Sequence, residues 1–253
     1  MNVIDIENQI ASELIASGIR KESVVLVHSS LRSMGYVPGG PETVIRGFLK
    51  ATGSGGTLLM PALSYESVTE IAPVFDVLTT PSNVGLIPEY FRLRPGTLRS
   101  VNPTHSVCGL GPLARELLSE HHLDVTPCGA HSPFKLLAQH HGQIVFLGCG
   151  LKPNTSMHAI EEIVEPPYLF GSTIAYSVTL VDGSNINIHN RRHNFKGWIQ
   201  RYDRVENILG EEGLRRGKVL DATVYIVESP ALWTKALNVL RNDPYAFIEK
   251  GKG

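Results

Sequence analysis

Features that would place a protein in a membrane or outside the cell are missing from this sequence. No apolar run is long enough to cross a bilayer, and the N-terminus has no signal-like apolar segment. There are only three cysteines, Cys108, Cys128 and Cys149, and their wide spacing argues against a disulfide framework and against a zinc site. These absences predict a protein of the reducing cytoplasm.

An excess of charge of either sign is also missing. The 23 lysines and arginines and the 24 aspartates and glutamates leave a formal net charge of -1. A surface balanced in this way has no general attraction to nucleic acid or to an anionic membrane. We therefore expect neither nucleic acid nor a membrane as a partner.

The distribution of apolar residues predicts an α/β fold. Hydrophobic residues make up 42% of the 253 residues and charged residues 19%, which is typical of a globular chain with a sizeable core. Three short apolar runs predict buried strands at residues 24–27, 57–60 and 144–147. Helical patterns between them predict a sheet that is at least partly parallel and covered on both faces. The Asp182-Gly183 pair predicts an added antiparallel hairpin.

Further helices, one more strand and two irregular segments complete the predicted organisation. Residues 63–82 have no clean period, and we interpret them as a loop that lines a site. Residues 99–106 form a polar loop, and a strand is predicted at 223–227. The predicted helices cover residues 4–20, 41–49, 84–94, 111–118, 133–139, 197–209 and 230–241.

The segment from Pro153 to Glu162 carries the clearest chemical signal. It follows the strand at 144–147, and Thr155 or Ser156 is predicted to cap a helix that begins there. His158 and Glu161 are three residues apart, so they share one face of that helix. An imidazole beside a carboxylate can act as a general base. The alternative is a surface helix that carries an unrelated histidine and glutamate.

Three other polar segments are candidates for ligand contacts. Residues 99–106 contain Arg99 and His105, and this segment is either a binding loop or a turn that bonds to itself. Arg99 could reach a phosphate, because its guanidinium forks onto two oxygens. The run from His28 to Ser30 follows a buried strand and either binds a carbonyl-rich ligand or caps a loop. The basic run 189–193 either contacts an anion or forms a solvated hairpin edge.

Two further readings receive little support from the residues. The pairs His121-His122 and His140-His141 suggest a metal, but adjacent side chains point apart, so we predict no metal site. A serine hydrolase that uses His158 and Glu161 is a serious rival. The Gly-x-Ser-x-Gly elbow that would carry its nucleophile is missing, however.

Taken in order, six segments resemble the aminoglycoside 3-N-acetyltransferase family. The resemblance runs from about Val24 to about Tyr168 and is loose in the last third of the chain. Each motif alone is weak, whereas six in the same order are specific. They are Val27-His28-Ser29-Ser30-Leu31, Gly39-Gly40, Gly56-Thr57-Leu58-Leu59-Met60-Pro61, Arg99-Ser100-Val101-Asn102-Pro103-Thr104-His105-Ser106, Ser132-Pro133, and Asn154-Thr155-Ser156-Met157-His158 with Glu161.

The resemblance implies a fold, two substrates and a set of roles. The fold is a single α/β domain over residues 1–253, a three-layer α/β/α sandwich with a mixed, largely parallel central sheet and an added antiparallel hairpin. Acetyl-coenzyme A is the donor and a primary amine is the acceptor, as in antibiotic resistance. The implied catalytic residues are His158 as general base, Glu161 as its orienting carboxylate, and His105. The implied cofactor contacts are His28, Ser29, Ser30 and Leu31 to pantetheine, with Arg99 and Ser100.

One departure from the family concerns the acceptor. Aminoglycosides are polycations and need an acidic site, whereas this chain carries Arg191-Arg192-His193 after the central hairpin. We therefore hypothesise a less cationic acceptor, such as an amino sugar, although acidic residues at 66, 70, 76, 162 and 165 keep an aminoglycoside open. A hydrolase and a non-catalytic module that binds coenzyme A or a sugar remain as alternatives. The sequence does not distinguish a monomer from a homo-oligomer.

Overall fold

The computed structural model describes residues 2–251, and the bounds below refer to that range. The helices are α1 (Val3–Ser17), α2 (Gly40–Thr52), α3 (Leu86–Leu93), α4 (Ala114–Leu118), α5 (Pro133–Gln139), α6 (Ser156–Val164), α7 (Glu206–Gly213) and α8 (Ser229–Asn242). The strands are β1 (Val24–Ser29), β2 (Thr57–Pro61), β3 (Val74–Asp76), β4 (Leu98–Arg99), β5 (Val107–Leu110), β6 (Gln143–Leu147), β7 (Phe170–Thr179), β8 (Asn185–His193), β9 (Trp198–Gln200), β10 (Leu214–Val219), β11 (Ala222–Glu228) and β12 (Ile248–Lys250).

A mixed seven-stranded sheet organises the molecule, in the order β10-β11-β6-β1-β2-β5-β4. The three strands predicted from apolar runs are its centre, and β1 pairs in parallel with both β2 and β6. The outer pairs are antiparallel. The predicted mixed sheet is thus confirmed, with its parallel part confined to the central three strands.

Alternation of side chains along the central strands produces two cores, one on each face of the sheet. Val25 and Val27 of β1 pack in one core with apolar residues of α1, α2 and α3. Val24 and Leu26 point to the other face and pack with α4 to α8. Successive side chains of a strand point to opposite faces, so a continuous apolar run of this kind needs cover on both. The predicted three-layer arrangement is confirmed.

The predicted hairpin forms the larger part of a second sheet. β7 and β8 pair antiparallel around the turn that contains Gly183, and β3 adds to β7 in parallel. The side chains of this sheet that point inward form a small core of their own, including Phe75 and Tyr176. This places the last residues of β8 beside the main sheet rather than in solvent.

The helix predicted over 197–209 is wrong in its first half. Residues 198–200 form β9 and pair antiparallel with β12, and a short 3-10 turn covers Tyr202–Val205 before α7 begins. Gly197 has a φ of +82°, which a helix does not use. Pairing with a strand some fifty residues later overrides the local pattern, a kind of contact that helical spacing does not reveal.

No helix within residues 2–251 is both long enough and apolar enough to cross a membrane. The cytoplasmic location and the single domain over 1–253 stay predictions, and the two ends of that range lie outside the described residues.

Candidate active site

A cavity of about 540 Å³ opens where the central strands end. β1, β2 and β6 are neighbours and run parallel, so their carboxyl ends meet at one edge of the sheet, where open α/β sheets bind ligands. Leu63, Tyr65 and Val68 line the cavity, as predicted for the segment 63–82. That segment is not a loop throughout, because residues 74–76 form β3 by pairing with β7. The polar lining includes His28, Ser29, His105, Asn154, His158 and His193.

A buried carboxylate holds the imidazole predicted to be the base. Glu161 is fully buried, and its Oε2 lies 3.3 Å from Nδ1 of His158. Tyr202 donates its hydroxyl to the same oxygen over 2.6 Å, and Tyr168 donates to Oε1 over 2.9 Å. The hydroxyl of Tyr202 also lies 2.9 Å from Nδ1 of His158. Three side chains, those of His158, Tyr168 and Tyr202, therefore meet at one carboxylate.

The same contacts determine which nitrogen of His158 carries its proton. Tyr202 has one hydroxyl proton, and a bond to a carboxylate is the stronger use for it. Its oxygen is then an acceptor toward Nδ1 of His158, so Nδ1 is protonated in the neutral ring. Nε2 keeps its lone pair. His158 lines the cavity, so this lone pair can accept a proton from a bound molecule.

The start of α6 differs from the prediction in one detail. Thr155 occupies the cap position in a helical conformation, but its side chain makes no capping bond. The carbonyls of Asn154 and Thr155 accept the first helical N–H groups instead, from Met157 and His158. The predicted side-chain cap by Thr155 or Ser156 is therefore wrong, since backbone turns before the helix already satisfy these donors.

A second imidazole–carboxylate pair lies beside the first. Nε2 of His193, at the end of β8, lies 2.7 Å from Oε1 of Glu162. Glu162 also accepts bonds from the hydroxyl of Thr126 and the backbone N–H of Cys128. Burial raises the pKa of Glu162 to about 7, against those hydrogen bonds and the nearby charge of His158, which lower it. Burial holds the pKa of His193 well below its usual range, with His158 adding to the effect.

His105 enters the cavity from the loop 99–106. The side-chain oxygen of Asn102 accepts backbone N–H bonds from Thr104 and His105, and the hydroxyl of Thr104 bonds Nδ1 of His105 at 2.9 Å. The loop is therefore both a self-bonded turn and part of the cavity wall. Burial, and then the neighbouring His193 and His158, keep the pKa of His105 well below its usual range.

The carboxyl end of β1 lies between the main cavity and a second pocket on the surface. His28 stacks on Phe146 with ring centroids 5.0 Å apart, and burial lowers its pKa to about 3, with His158 adding a smaller part. Ser29 lines the main cavity and also a neighbouring surface pocket, which Ser30, Leu31 and Arg32 line as well. Residues 28–31 thus line two adjoining openings that share Ser29, and their contact with pantetheine stays a prediction.

Arg99 and Ser100 are placed differently. The guanidinium of Arg99 donates to the hydroxyl of Ser106 and to the carbonyls of Ala62, Val77 and Thr80, and it sits 4.7 Å from the centre of the Phe75 ring. The buried hydroxyl of Ser100 accepts a hydrogen bond from the backbone N–H of Val107 and also bonds Nδ1 of His121. Neither residue lines the main cavity. Their contacts hold the loop, Arg99 also lines a separate surface pocket, and contact of either residue with a cofactor stays a prediction.

Several polar atoms of the cavity wall lack a hydrogen-bond partner within the protein although they are buried. They are Nε2 of His28, the hydroxyl of Ser29, both amide atoms of Asn154 and Nδ1 of His193. Buried polar atoms are almost always satisfied by protein, water or ligand. This concentration therefore fits a cavity built for a polar ligand.

Five contributors to the site were not predicted as such. Tyr168 and Tyr202 carry no local signal, because their contact with Glu161 depends on distant parts of the chain. Glu162 was noted only as an acid and His193 only within a basic run. Asn154 lies in the main motif, and its position next to the predicted base could have drawn attention to its amide.

Comparison with known proteins gives a consistent result. The family model described as aminoglycoside 3-N-acetyltransferase matches residues 26–241. Aminoglycoside N(3)-acetyltransferase IV of Salmonella sp is 29% identical over 251 residues, which cover 97% of this chain and 91% of that protein. Aminoglycoside N(3)-acetyltransferase IX of Micromonospora chalcea is 31% identical over 180 residues, covering 62% of each chain.

Solved structures agree with this fold. A mutant of aminoglycoside acetyltransferase AAC(3)-IVa in complex with gentamicin superposes with a TM-score of 0.82 at 27% identity, covering 95% of this chain and 90% of that one. The binary complex of AAC-IIIb with CoASH superposes with a TM-score of 0.81 at 25% identity, covering 93% and 96%.

Two buried histidines should make stability depend on pH. Burial lowers the pKa of His28 to about 3 and of His121 to about 4, from 6.5. Below pH 6.5 the unfolded chain therefore binds more protons than the folded chain. The contribution of each histidine to the free energy of unfolding is complete above pH 6.5 and is lost as the pH falls, down to about 4 for His121 and about 3 for His28. Within that range, each histidine lowers the free energy of unfolding by about 1.4 kcal/mol per pH unit.

Urea unfolding at pH 7.5, 6.5 and 5.5 measures this slope. His121→Gln should flatten it, because one buried titrating group is removed. His122→Gln is the matched control, since the neighbouring side chain is exposed and should leave the slope unchanged. Equal slopes for His121→Gln and the unmodified protein would contradict the account.

Proposed function

Because the chain belongs to the aminoglycoside 3-N-acetyltransferase family, we propose that it transfers an acetyl group from acetyl-coenzyme A to a primary amine of an aminoglycoside or a related amino sugar. One observation carries the proposal. His158 presents an unprotonated Nε2 at a cavity beyond the strand ends, while its Nδ1 is held by Glu161 and Tyr202. This is the arrangement that removal of a proton from an attacking amine requires.

The proposed reaction needs no acyl-enzyme. The acceptor ammonium first loses a proton to solvent. Nε2 of His158 then takes a proton from the neutral amine while the nitrogen lone pair forms a bond to the thioester carbonyl carbon and the carbonyl π pair moves to oxygen. The tetrahedral intermediate then breaks its carbon–sulfur bond and releases the coenzyme A thiolate. The proton on Nε2 passes to that sulfur, which restores the neutral imidazole. Glu161 stabilises the imidazolium while it exists, because its carboxylate faces Nδ1.

Donors for the oxyanion of that intermediate are present in the cavity wall. Asn154 is buried, its amide lacks a protein partner, and it precedes the helix that carries His158. The hydroxyls of Ser29 and Thr155 line the same cavity. Fixed donors aimed at a developing charge are worth several kcal/mol in catalysis, roughly 3 for a single donor. We propose the amide of Asn154 as the principal one.

The two openings that meet at Ser29 suggest how the donor lies. The surface pocket beside Ser30 and Leu31 suits the pantetheine arm, whose thioester end would then enter the main cavity past Ser29. Arg32 is exposed in that pocket. We propose that Arg32 contacts the phosphates of coenzyme A, the role first predicted for Arg99.

The charge of the cavity bears on the acceptor. Among its described lining residues there is no aspartate or glutamate, whereas Arg192 is present. None of the five acids noted in the sequence lines the cavity, and three of them are already engaged elsewhere. Glu162 is bonded to His193 and two other groups, Asp76 accepts N–H bonds from its own turn, and Glu165 pairs with Arg191. We therefore expect the protein to acetylate amines that carry few ammonium groups efficiently.

Release of coenzyme A thiol tests the proposed function. The protein is incubated with acetyl-coenzyme A and, in separate reactions, with gentamicin, apramycin, glucosamine or no amine. We expect release that depends on the amine, with acetylated amine detected by mass spectrometry. We also expect glucosamine to reach a kcat/KM within about tenfold of the polycations, because a neutral or basic cavity gives polycations little electrostatic advantage.

The other outcomes of this experiment separate the rival functions. Thiol release without any amine would indicate a thioester hydrolase. Binding of acetyl-coenzyme A without release would indicate a non-catalytic module. Efficient use of gentamicin with no use of glucosamine would contradict the argument from cavity charge.

Substitution of the imidazole and of the hydroxyl beside it should have different effects. His158→Ala should lower kcat by about a hundredfold or more with little change in binding of acetyl-coenzyme A. Tyr202→Phe keeps the aromatic ring but removes the hydroxyl that contacts Nδ1 of His158. It should lower kcat by about tenfold and leave KM unchanged. Tyr168→Phe is the matched control, since its hydroxyl meets Glu161 without touching His158. A Tyr168→Phe loss as large as that of Tyr202→Phe would oppose a direct role for Tyr202.

Arg32→Ala should raise the KM for acetyl-coenzyme A by about tenfold, because a charge-assisted contact to phosphate is lost. The KM for acetyl-pantetheine, which lacks the nucleotide, should not change. Arg241→Ala removes another exposed arginine and serves as the control. An equal effect of Arg32→Ala on both donors would refute the phosphate contact.

A further inference from the structure

We propose that His105, His158 and His193 form a binding site for a divalent transition metal, with zinc as the ion that this donor set favours, and that a bound zinc inhibits the enzyme. The three residues come from the loop 99–106, from α6 and from the end of β8. One ring nitrogen of each lies within 4.8 Å of the others. The inhibitory part rests on the proposed function, because the ion would occupy the nitrogen that His158 uses as base.

Each ring is already oriented in the way that metal-binding histidines usually are. Nδ1 of His158 faces Glu161, Nε2 of His193 faces Glu162, and Nδ1 of His105 faces the hydroxyl of Thr104. A histidine that binds a metal commonly donates its other N–H to a carboxylate or similar acceptor, which fixes the ring and its tautomer. The nitrogens left for an ion are Nε2 of His158, Nδ1 of His193 and Nε2 of His105.

The rings are close enough for a metal after a small adjustment. With bonds of about 2.0–2.1 Å in a tetrahedral site, ligand nitrogens lie about 3.4 Å apart. The ring nitrogens lie at most 4.8 Å apart, so closing the triangle to that size moves each nitrogen inward by no more than about 0.8 Å. The ring centroids are 4.8 to 5.7 Å apart, so no side chain separates the rings. Nδ1 of His193 is buried without a protein partner, and an ion would satisfy it.

The donor set selects the kind of ion. Three imidazole nitrogens suit zinc, copper or nickel, whereas magnesium and calcium prefer oxygen ligands. The fourth position would face the cavity of about 540 Å³ and would take water or a thiolate. Zinc is thus expected to bind with one ion per chain, and magnesium is expected not to compete.

The consequence for acetyl transfer follows from the electron pair on Nε2 of His158. A pair shared with zinc cannot accept a proton from the acceptor amine. Metal-loaded protein should therefore lose acetyl transfer, and removal of the ion by a chelator should restore it. Copper is expected to act in the same way and magnesium to have no effect.

The test begins with full-length protein treated with a chelator and then dialysed. Cobalt(II) chloride is titrated into it as a spectroscopic probe, followed by zinc chloride measured by calorimetry. We expect the visible absorption of four- or five-coordinate cobalt with one equivalent bound, and its displacement by zinc. His193→Ala and His105→Gln should each weaken zinc binding at least tenfold. His189→Ala removes an exposed histidine of the same strand and should leave it unchanged.

Two variants are needed because either alone could disturb the fold, which circular dichroism and a thermal melt will show. No cobalt signal in the unmodified protein, or unchanged zinc affinity in both folded variants, would overturn the site. Zinc that binds but leaves the rate of acetyl transfer unaltered would overturn the inhibition.

The outcomes that concern metal binding are independent of the proposed function. Cobalt binding at the three rings in a protein without acetyl transfer would leave the metal site standing and remove the function. Acetyl transfer without metal binding would do the reverse.

Discussion

A single buried carboxylate holds the site together. Glu161 has no exposed surface, and it is reached by His158 on its own helix and by the hydroxyls of Tyr168 and Tyr202. A carboxylate without solvent needs such donors, since an unpaired buried charge is costly. The hydrogen bonds that offset this cost come from groups in three parts of the chain. The fold therefore positions the imidazole and satisfies the carboxylate through the same contacts.

The central sheet explains why these groups meet a ligand at all. Within the seven-stranded sheet, the parallel pairs join β6, β1 and β2, and the cavity opens at the common carboxyl edge of these three strands. The second sheet brings the end of β8 to that edge and adds a second imidazole paired with a carboxylate. The wall of the cavity thus holds two such pairs. We propose that the first accepts a proton from the amine, and that the imidazoles of both pairs, together with His105, can bind an ion.

Much of this arrangement could be predicted where the signal is local. Three apolar runs predicted the three central strands, because a strand buried on both faces has no polar position. His158 and Glu161 could be paired because three residues on a helix span one turn. Tyr202 could not be found, because its place depends on the pairing of β9 with β12, and the local pattern there indicated a helix instead.

Polar residues were the hardest to assign. Arg99 looked like a ligand contact, yet its donors serve three backbone carbonyls and a serine within the loop. His193 looked like part of a solvated edge, yet it lies in the cavity wall. In both cases the residue type was informative about bonding but not about the partner, which only the tertiary fold supplies. The prediction of no metal site weighed only adjacent histidines and stays untested, since rings that come from separate elements, as in the proposed site, give no local signal.

The protonation of His158 tests the central claim most directly. Nitrogen-15 NMR of the imidazoles, assigned with His158→Gln, reports which ring nitrogen carries the proton at neutral pH. The account predicts that Nδ1 is protonated and Nε2 is bare, and that Glu161→Gln disturbs this preference. A neutral His158 with its proton on Nε2 would contradict it, because no lone pair would then face the bound amine.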